Sequence, residues 1–131
     1  MFGKKVRVKG DGIPGDILGF LDEADKLYIK AFETRSIRVL KDYFSKDLCM
    51  RLASTIVAEG ASRYFGNEKF RLTEWKPIQV SESEGIYEKS VVYDSVKVAG
   101  SFNLKVSTDY VEQWKISITP DELMVSDVKT L

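Results

Sequence analysis

The hydrophobic positions in the first half of the chain recur every three or four residues, as on one face of a helix. The first such stripe begins at an N-cap, Asp16, and ends near Thr34. A shorter helix restarts at Ser36, and Ser45 caps a third with Asp47 in its first turn. The apolar positions are Ile17, Leu18, Phe20, Leu21, Ala24, Leu27, Tyr28, Ala31 and Phe32, then Ile37, Leu40, Tyr43 and Phe44, then Leu48, Leu52, Ile56 and Val57. The pattern therefore predicts three N-terminal helices.

Beyond a predicted helix stop at Gly66 and Asn67, the apolar period changes to two residues, which is typical of strands. Pro77 cannot donate to a ladder, so a bulge or bend is expected there. Four or five antiparallel strands are predicted over residues 70–80, 86–98, 102–106, 110–118 and 123–128, with a turn at 107–109. Helices followed by strands form a segregated α+β pattern, with the helices packed on one face of a strongly curved antiparallel sheet.

Residues 1–15 precede this pattern and are predicted to be a basic N-terminal arm and a glycine-rich turn. Residues 16–131 then form a single α+β domain. The arm has two interpretations, a solvated segment or one that contacts anionic lipid or a preceding membrane segment. Its basic residues before the first acid are Lys4, Lys5, Arg7 and Lys9.

Gly10, Gly12 and Gly15 form a G-x-G-x-x-G array, the spacing of dinucleotide-binding turns. Such a turn needs a buried parallel strand before it and an acid ending a second strand about 20 residues later. Here the preceding alternation is of an exposed type, and the required position falls near Glu33 in helical sequence. We therefore predict a turn that leads into the first helix and binds no nucleotide.

The chain has 131 residues, of which 44% are apolar, so it is long enough for one domain with its own core. Its 20 basic and 20 acidic residues cancel, which argues against a general binder of nucleic acid or membrane surfaces. No apolar run approaches the roughly 18 residues that span a bilayer, and no signal-peptide pattern is seen. We expect no membrane insertion, and a location in the cytoplasm or on the soluble face of a membrane complex.

Cys49 is the only cysteine, and histidine is absent. An intrachain disulfide, a cysteine metal cluster and a histidine-based triad are therefore excluded, and we predict no cofactor and no metal. A free thiol fits a reducing cytoplasm, and with no imidazole to activate it Cys49 is interpreted as a packing residue. The acidic run at residues 22–25, DEAD, comes without a phosphate-binding loop and is interpreted as helix-surface charge.

Two segments carry a resemblance to a known superfamily. Residues 20–48, FLDEADKLYIKAFETRSIRVLKDYFSKDL, contain an L-x-x-Y-x-S-x-x-L element, and residues 110–128 read YVEQWKISITPDELMVSDV. They resemble the nuclear-transport-factor-2-like, cystatin-like superfamily, and most of all the C-terminal domain of the mitochondrial import-motor membrane anchor and its bacterial relatives. The sequence departs from that group at the hairpin tip, where Glu122 and Leu123 replace a frequent tryptophan.

The resemblance implies a cone-shaped α+β domain whose open mouth is a pocket. Proteins of this superfamily include isomerases, dehydratases, binding domains and scaffold domains, so the fold does not select a function. The leading hypothesis is a non-catalytic binding or scaffold domain, part of a larger membrane-associated or secretion-type protein, which takes a protein partner or a small hydrophobic ligand. The alternative is a small-molecule isomerase or dehydratase that uses a pocket carboxylate and a tyrosine. The residues available to an enzyme are Tyr28, Tyr93, Asp94, Tyr110 and Glu112.

Glu112 is the leading candidate for the polar anchor of the pocket, with Tyr110, Trp114 and Tyr28 as its walls. A regular strand over residues 110–118 places Glu112 on the face that meets the helices, where an ionised carboxylate is costly to bury. Three outcomes follow: the side chain lines a wet cone mouth, pairs with a basic or hydroxyl group, or has a pKa raised by desolvation. A bulge that turns Glu112 to solvent, or a plain salt bridge at the rim, is the structural alternative.

Self-association through the sheet is a further expectation. Residues 86–98 carry apolar side chains on both faces of one predicted strand: Val91 and Tyr93 on one, and Val92, Val96 and Val98 on the other. Only one set can point into the cone. Either a partner protomer covers the other set or a strand bulge explains the pattern.

Overall fold

The computed structural model describes residues 5–59 and 68–131; the predicted helix stop at Gly66 and Asn67 lies outside them. In the described part, two α-helices pack on one face of a five-stranded sheet. The elements are β1 (Lys5–Lys9), α1 (Gly15–Thr34), a 3-10 turn (Arg38–Leu40), α2 (Lys46–Glu59), β2 (Glu68–Val80), β3 (Glu84–Ala99), β4 (Phe102–Ile118) and β5 (Leu123–Thr130). The α+β class and the order of helices before the main strands are as predicted.

The sheet has the order β1-β2-β3-β4-β5 and is mixed. β1 runs parallel to β2, from Lys5 opposite Phe70 to Lys9 opposite Glu74, and the other pairs are antiparallel. The prediction of a wholly antiparallel, strongly curved sheet is wrong, because β1 joins the sheet and the sheet is not strongly curled. α1, the 3-10 turn and α2 form the crossover that a parallel pair requires.

The predicted second helix is a single 3-10 turn, and this reduces the expected three helices to two in the described part. β5 explains why the turn does not extend. The Ser45 N–H donates to the Val125 carbonyl and the Val125 N–H donates to the Tyr43 carbonyl, both within 2.8 Å. Backbone groups that a helix would need are thus committed to the edge of the sheet.

β4 is one continuous strand of 17 residues, so the turn predicted at residues 107–109 is wrong. Ser107, Thr108 and Asp109 pair in register with Asp94, Tyr93 and Val92 of β3, which is 16 residues long. Cross-strand pairing over this length overrides the local turn preference of a Ser-Thr-Asp sequence. The bend predicted near Pro77 is confirmed as a register shift between Pro77 and Gln79.

The two ends of α1 and the start of α2 differ in how their backbone groups are satisfied. The prediction of Asp16 as the N-cap is wrong, because α1 begins at Gly15 with Pro14 at the cap position and no side chain caps it. The helix ends at Thr34, and the C-cap Arg35 has a left-handed φ of 54°, which lets its N–H donate to the Phe32 carbonyl. α2 is capped as predicted, since Ser45 Oγ accepts a hydrogen bond of 3.2 Å from the Leu48 N–H. Val57, expected to face inward, is 56% exposed, so the apolar stripe of α2 is narrower than predicted.

The centre of the core between helices and sheet is a group of aromatic rings. Trp114 is fully buried on β4 and meets Tyr28, Phe44 and Trp75 edge to face at centroid distances of 5.4, 5.5 and 5.2 Å. Such edge-to-face contacts add about 0.5–1.5 kcal/mol each beyond the area that they bury. These contacts join α1, the segment before α2, β2 and β4 at one point. The candidate site lies beside it.

Two glycine substitutions test how tightly this layer is packed. A Cβ added at Gly85 would lie 2.6 Å from Cε2 of the buried Tyr87 ring, which has no room to move away. We expect Gly85→Ala to lower the free energy of unfolding by about 1–3 kcal/mol. Gly19→Ala on α1, where nothing lies within 4 Å, should raise it by about 0.5–1 kcal/mol. Urea denaturation measures both, and equal stabilities of the two variants would contradict the packing described.

Candidate functional site

The four residues predicted to form a pocket are brought together around a residue that was not predicted, Lys89. Its ammonium is fully buried and lies 2.8 Å from the Glu112 carboxylate. It also lies 5.4, 5.3 and 4.8 Å from the ring centroids of Tyr28, Tyr110 and Trp114. Each ring presents its π-system to the cation within the range of cation–π attraction. The predicted pocket wall is therefore the packed surroundings of a buried lysine.

Lys89 belongs to a chain of four charged side chains that we name the buried ion cluster: Asp25, Arg71, Lys89 and Glu112. The Lys89 ammonium donates to Asp25 Oδ1 at 2.7 Å, and the other carboxylate oxygen accepts from Arg71 Nη2 at 3.3 Å. Two cations and two carboxylates balance formally. Since each of the four side chains is at most 6% exposed, this balance is what makes their burial tolerable.

Strand register and helix phase place the four charges. Lys89 on β3 stands directly opposite Glu112 on β4, and on its other side opposite Trp75 on β2. Asp25 lies on the buried stripe of α1, between Leu21 and Tyr28. The cluster thus links one helix to three neighbouring strands, with Arg71 supplied by β2.

One hydroxyl and one indole group form hydrogen bonds with the cluster. Arg71 Nη2 also donates to the Tyr110 hydroxyl at 3.0 Å, and Trp114 Nε1 donates to Glu112 Oε1 at 3.2 Å. The Glu112 carboxylate therefore pairs with a basic group, which is the second of the three outcomes expected for it. A bulge that turns it to solvent is absent, since Glu112 is 0% exposed and β4 pairs regularly with β3 around it.

Burial and neighbouring charge set the ionisation of the cluster. Burial would lower the pKa of Lys89, but the adjacent carboxylates of Asp25 and Glu112 outweigh this effect and raise it above its usual value. Burial raises the pKa of Tyr110 to about 12, against the opposing influence of the Lys89 and Arg71 cations. At neutral pH the ammonium is charged and the phenol is protonated.

This arrangement is poorly suited to acid–base chemistry. A general base must stand within hydrogen-bond reach of its substrate, and the Glu112 side chain is enclosed by Lys89 and Trp114. Tyr110, with its raised pKa, is a weak acid at neutral pH. Of the other residues considered for an enzyme, Tyr93 packs on the Tyr110 ring at 6.3 Å and Asp94 is exposed.

A cavity of about 240 Å³ lies beside the cluster, between α1 and strands β1 and β2. We name it the α1 cavity. Asp25 and Arg71 belong to both the cavity wall and the buried ion cluster. Thr73 also belongs to the wall, and its hydroxyl is buried without a hydrogen-bond partner. The other wall residues are the apolar Val8 and Ile29 and the charged Asp22, Lys26 and Glu33. The predicted residues Glu112, Tyr110, Trp114 and Tyr28 do not line this cavity.

Other chemistry-bearing groups form no site in the described residues. Burial raises the pKa of the Cys49 thiol, which donates to the Phe44 carbonyl at 3.7 Å, so it is not an activated nucleophile. Within residues 5–59 and 68–131, no group of three or more potential metal-ligating side chains is found. No helix in this part of the chain is long and apolar enough to cross a membrane.

Sequence reasoning missed three members of the cluster, although each had a signal. Asp25 was interpreted as surface charge within the DEAD run, and this is wrong because it is 4% exposed on the apolar stripe of α1. Lys89 shares its strand face with Tyr87 and Val91, and Arg71 shares its face with Thr73 and Trp75. A charged residue that shares a strand or helix face with buried apolar residues, and that has a counterpart of opposite charge on another such face, indicates a buried ion pair.

Removing the central cation tests the cluster. Lys89→Met keeps the length of the side chain but leaves Asp25 and Glu112 without the ammonium between them. We expect the free energy of unfolding to fall by about 3–5 kcal/mol, as for other broken buried pairs. The matched control is Lys115→Met, which removes a 45% exposed lysine from an ion pair with Glu84 and should cost at most about 1 kcal/mol. Similar losses in urea denaturation for both variants would contradict a structural role for the cluster.

Tyr110 should make stability depend on alkaline pH. Its pKa is raised from 10.0 to about 12 on folding, so the protonated phenol stabilises the fold fully below pH 10, and this contribution is lost as the pH rises through 12. We expect the free energy of unfolding to fall more steeply between pH 10 and pH 12 for the natural protein than for Tyr110→Phe. Denaturation curves across that range measure the difference, and parallel pH profiles would contradict the prediction.

Comparison with known proteins supports the fold. No protein-family model matches the sequence, and a search of curated proteins finds no match. Among solved structures, the chain is similar to the crystal structure of the intermembrane space region of the chloroplast protein ARC6, with a TM-score of 0.50 and 11% sequence identity. The match covers 88% of this chain and 94% of that chain. At this identity the likeness shows a shared α+β fold alone. The resemblance to the nuclear-transport-factor-2-like superfamily is not confirmed by these matches.

Proposed function

We propose that this chain is a non-catalytic binding domain whose ligand site is the α1 cavity. The observation that carries the proposal is the burial of Glu112 and Lys89 against each other at 2.8 Å, both 0% exposed. The groups best suited to acid–base catalysis are thereby occupied in holding the fold together. The isomerase or dehydratase alternative needs substrate beside Glu112, and this burial argues against it.

The α1 cavity has the features of a small binding site. Its volume of about 240 Å³ is slightly below the roughly 300–1,000 Å³ typical of pockets for small molecules, so it suits a compact group. Val8 and Ile29 offer apolar contact, and Thr73, whose buried hydroxyl has no hydrogen-bond partner, offers one hydrogen bond once its side chain turns toward the occupant. The preferred occupant is therefore small, largely apolar and able to hydrogen-bond, such as one side chain of a partner polypeptide or a compact neutral ligand.

The buried ion cluster supports binding by holding one wall of the cavity in place. Asp25 and Arg71 are tied to each other at 3.3 Å, and Asp25 is tied to Lys89 at 2.7 Å. Their positions are fixed before any ligand arrives. Because the wall is preformed, less conformational entropy is lost on binding, and a small contact area can give useful affinity.

The sequence resemblance extends the proposal from the domain to its setting. Under it, the chain is a member of the nuclear-transport-factor-2-like superfamily and a soluble part of a larger membrane-associated or secretion-type protein. In that setting the binding domain serves as a scaffold, and the occupant of the α1 cavity comes from a protein partner.

A thermal-shift screen with compact neutral fragments tests the proposed site. A fragment at about 100 times its dissociation constant should add about 2.7 kcal/mol to the free energy of unfolding. Ile29→Trp fills the α1 cavity and should abolish the shift. The matched control is Met50→Trp, because Met50 is 68% exposed and lines a separate concavity of about 500 Å³ beside Lys46 and Phe44.

The hydroxyl of Thr73 gives a second, finer test. Thr73→Val keeps the shape of the side chain and removes the buried hydroxyl, so fragments that hydrogen-bond to it should bind about tenfold more weakly. A screen with no stabilising fragment would contradict the proposal, as would shifts that survive Ile29→Trp. Shifts lost only in Met50→Trp would assign the binding to the other concavity.

A further inference from the structure

The β4 strand has an outer edge that β5 covers only in part. β5 pairs with β4 from Ile118 back to Glu112, and the Leu131 N–H then donates to the Val111 carbonyl at 3.0 Å. Among the described residues, no strand pairs with this side of residues 102–110, which we name the open edge. The other side of the same segment is fully paired with β3.

The Val111 hydrogen bond shows which backbone groups the open edge presents. Because its carbonyl points toward β5, alternate residues of the regular strand point their N–H and C=O groups the same way. The outward-directed residues of the open edge are therefore 103, 105, 107 and 109. These groups form a template for a further strand.

The side chains at the open edge are unusually apolar for an unprotected strand. Phe102 is 71% exposed and Leu104 is 52% exposed, although both lie on the face that further along β4 is buried under the helices. Native proteins ordinarily protect such an edge with a charge that blocks pairing, a proline or a covering element. Here the two charged residues of the segment, Lys105 and Asp109, are opposite in sign and four positions apart.

We propose that the open edge pairs antiparallel with the open edge of a second copy of this chain, around a two-fold axis at Ser107. In this register each Lys105 stands directly opposite Asp109 of the second copy, on the outer face of the sheet. On the other face, Leu104 stands opposite Tyr110 of the second copy. Opposite charges and aliphatic–aromatic pairs are both favourable cross-strand neighbours.

Backbone geometry and charge together select this register. The outward-directed residues can pair only with one another, so a shift by a single residue is excluded. A two-fold axis at Val106 would place Lys105 opposite Ser107 and lose both direct ion pairs. The axis at Ser107 pairs residues 104–110 of the two copies. It also brings Asn103 and Phe102 of each copy opposite Val111 and Glu112, where Leu131 and Thr130 already pair, so the end of the β3–β4 hairpin must turn away from β5 in the dimer.

The proposed interface is independent of the α1 cavity. β1, which lines the cavity, is at one edge of the sheet. β5 and the open edge of β4 are at the opposite edge. Self-pairing would join two sheets into one and leave both cavities accessible. Ligand binding and self-association can therefore succeed or fail separately, and each is tested alone.

Charge reversal tests the register as well as the interface. Lys105→Asp places two like-charge pairs in the two-fold dimer, and Asp109→Lys does the same with opposite sign. We expect each variant alone to self-associate at least about tenfold more weakly than the natural chain in sedimentation equilibrium. Mixed in equal amounts, the two variants should form a heterodimer, because every Asp then faces a Lys. The double variant should self-associate as the natural chain does.

A proline variant separates edge pairing from other kinds of contact. The Ser107 N–H points away from β3, so Ser107→Pro removes a hydrogen bond of the dimer and none within the chain. It should be a folded monomer by circular dichroism and light scattering. A natural chain that stays monomeric over about a hundredfold range of concentration would overturn the proposal. So would a dimer that survives Ser107→Pro in a folded variant, or charge variants that do not recover on mixing.

Discussion

One ammonium group held between two carboxylates is the constraint on which the rest of the structure depends. Lys89 joins Asp25 of α1 to Glu112 of β4 at 2.7 and 2.8 Å, with no exposure to water. Three aromatic rings surround it, and two of them, Tyr28 and Trp114, also belong to the centre of the core. An ammonium so enclosed is tolerable only while both carboxylates stay in place, so the helix position and the strand register are coupled through it.

We infer that such a cluster contributes more to the specificity of the structure than to its net stability. Buried ion pairs often contribute little compared with well-packed apolar residues, yet leaving one partner unpaired is expensive. A slip of β3 against β4 by one residue would turn Lys89 to the other face, and a rotation of α1 would remove Asp25. Either change would leave a buried charge without its partner, so these alternative packings are higher in free energy. The same rigidity gives the α1 cavity a fixed wall.

The two edges of the sheet carry the two proposed interactions, ligand binding and self-pairing. β1 is a short edge of five residues beside the α1 cavity. β5 is protected near its start by the bridge between Phe44 and Val125. The far half of β4 is left open, with exposed apolar side chains and complementary charges. Binding is thus proposed at one edge and self-pairing at the other, with the buried ion cluster between them.

The sequence by itself determined the elements whose signals are local. Periodicity located α1 and α2, placed Ser45 as a cap, and put Glu112 on the buried face of β4 with Tyr110 and Trp114. Only the tertiary structure decided what meets that face. Lys89 is 23 positions from Glu112 and Asp25 is 64 from Lys89, so no local pattern pairs them. Contacts between distant segments also account for the parallel pairing of β1 with β2 and for the bridge between Phe44 and Val125, which replaces the predicted second helix. Such backbone and charge partners are far apart in the sequence and meet only in the folded chain.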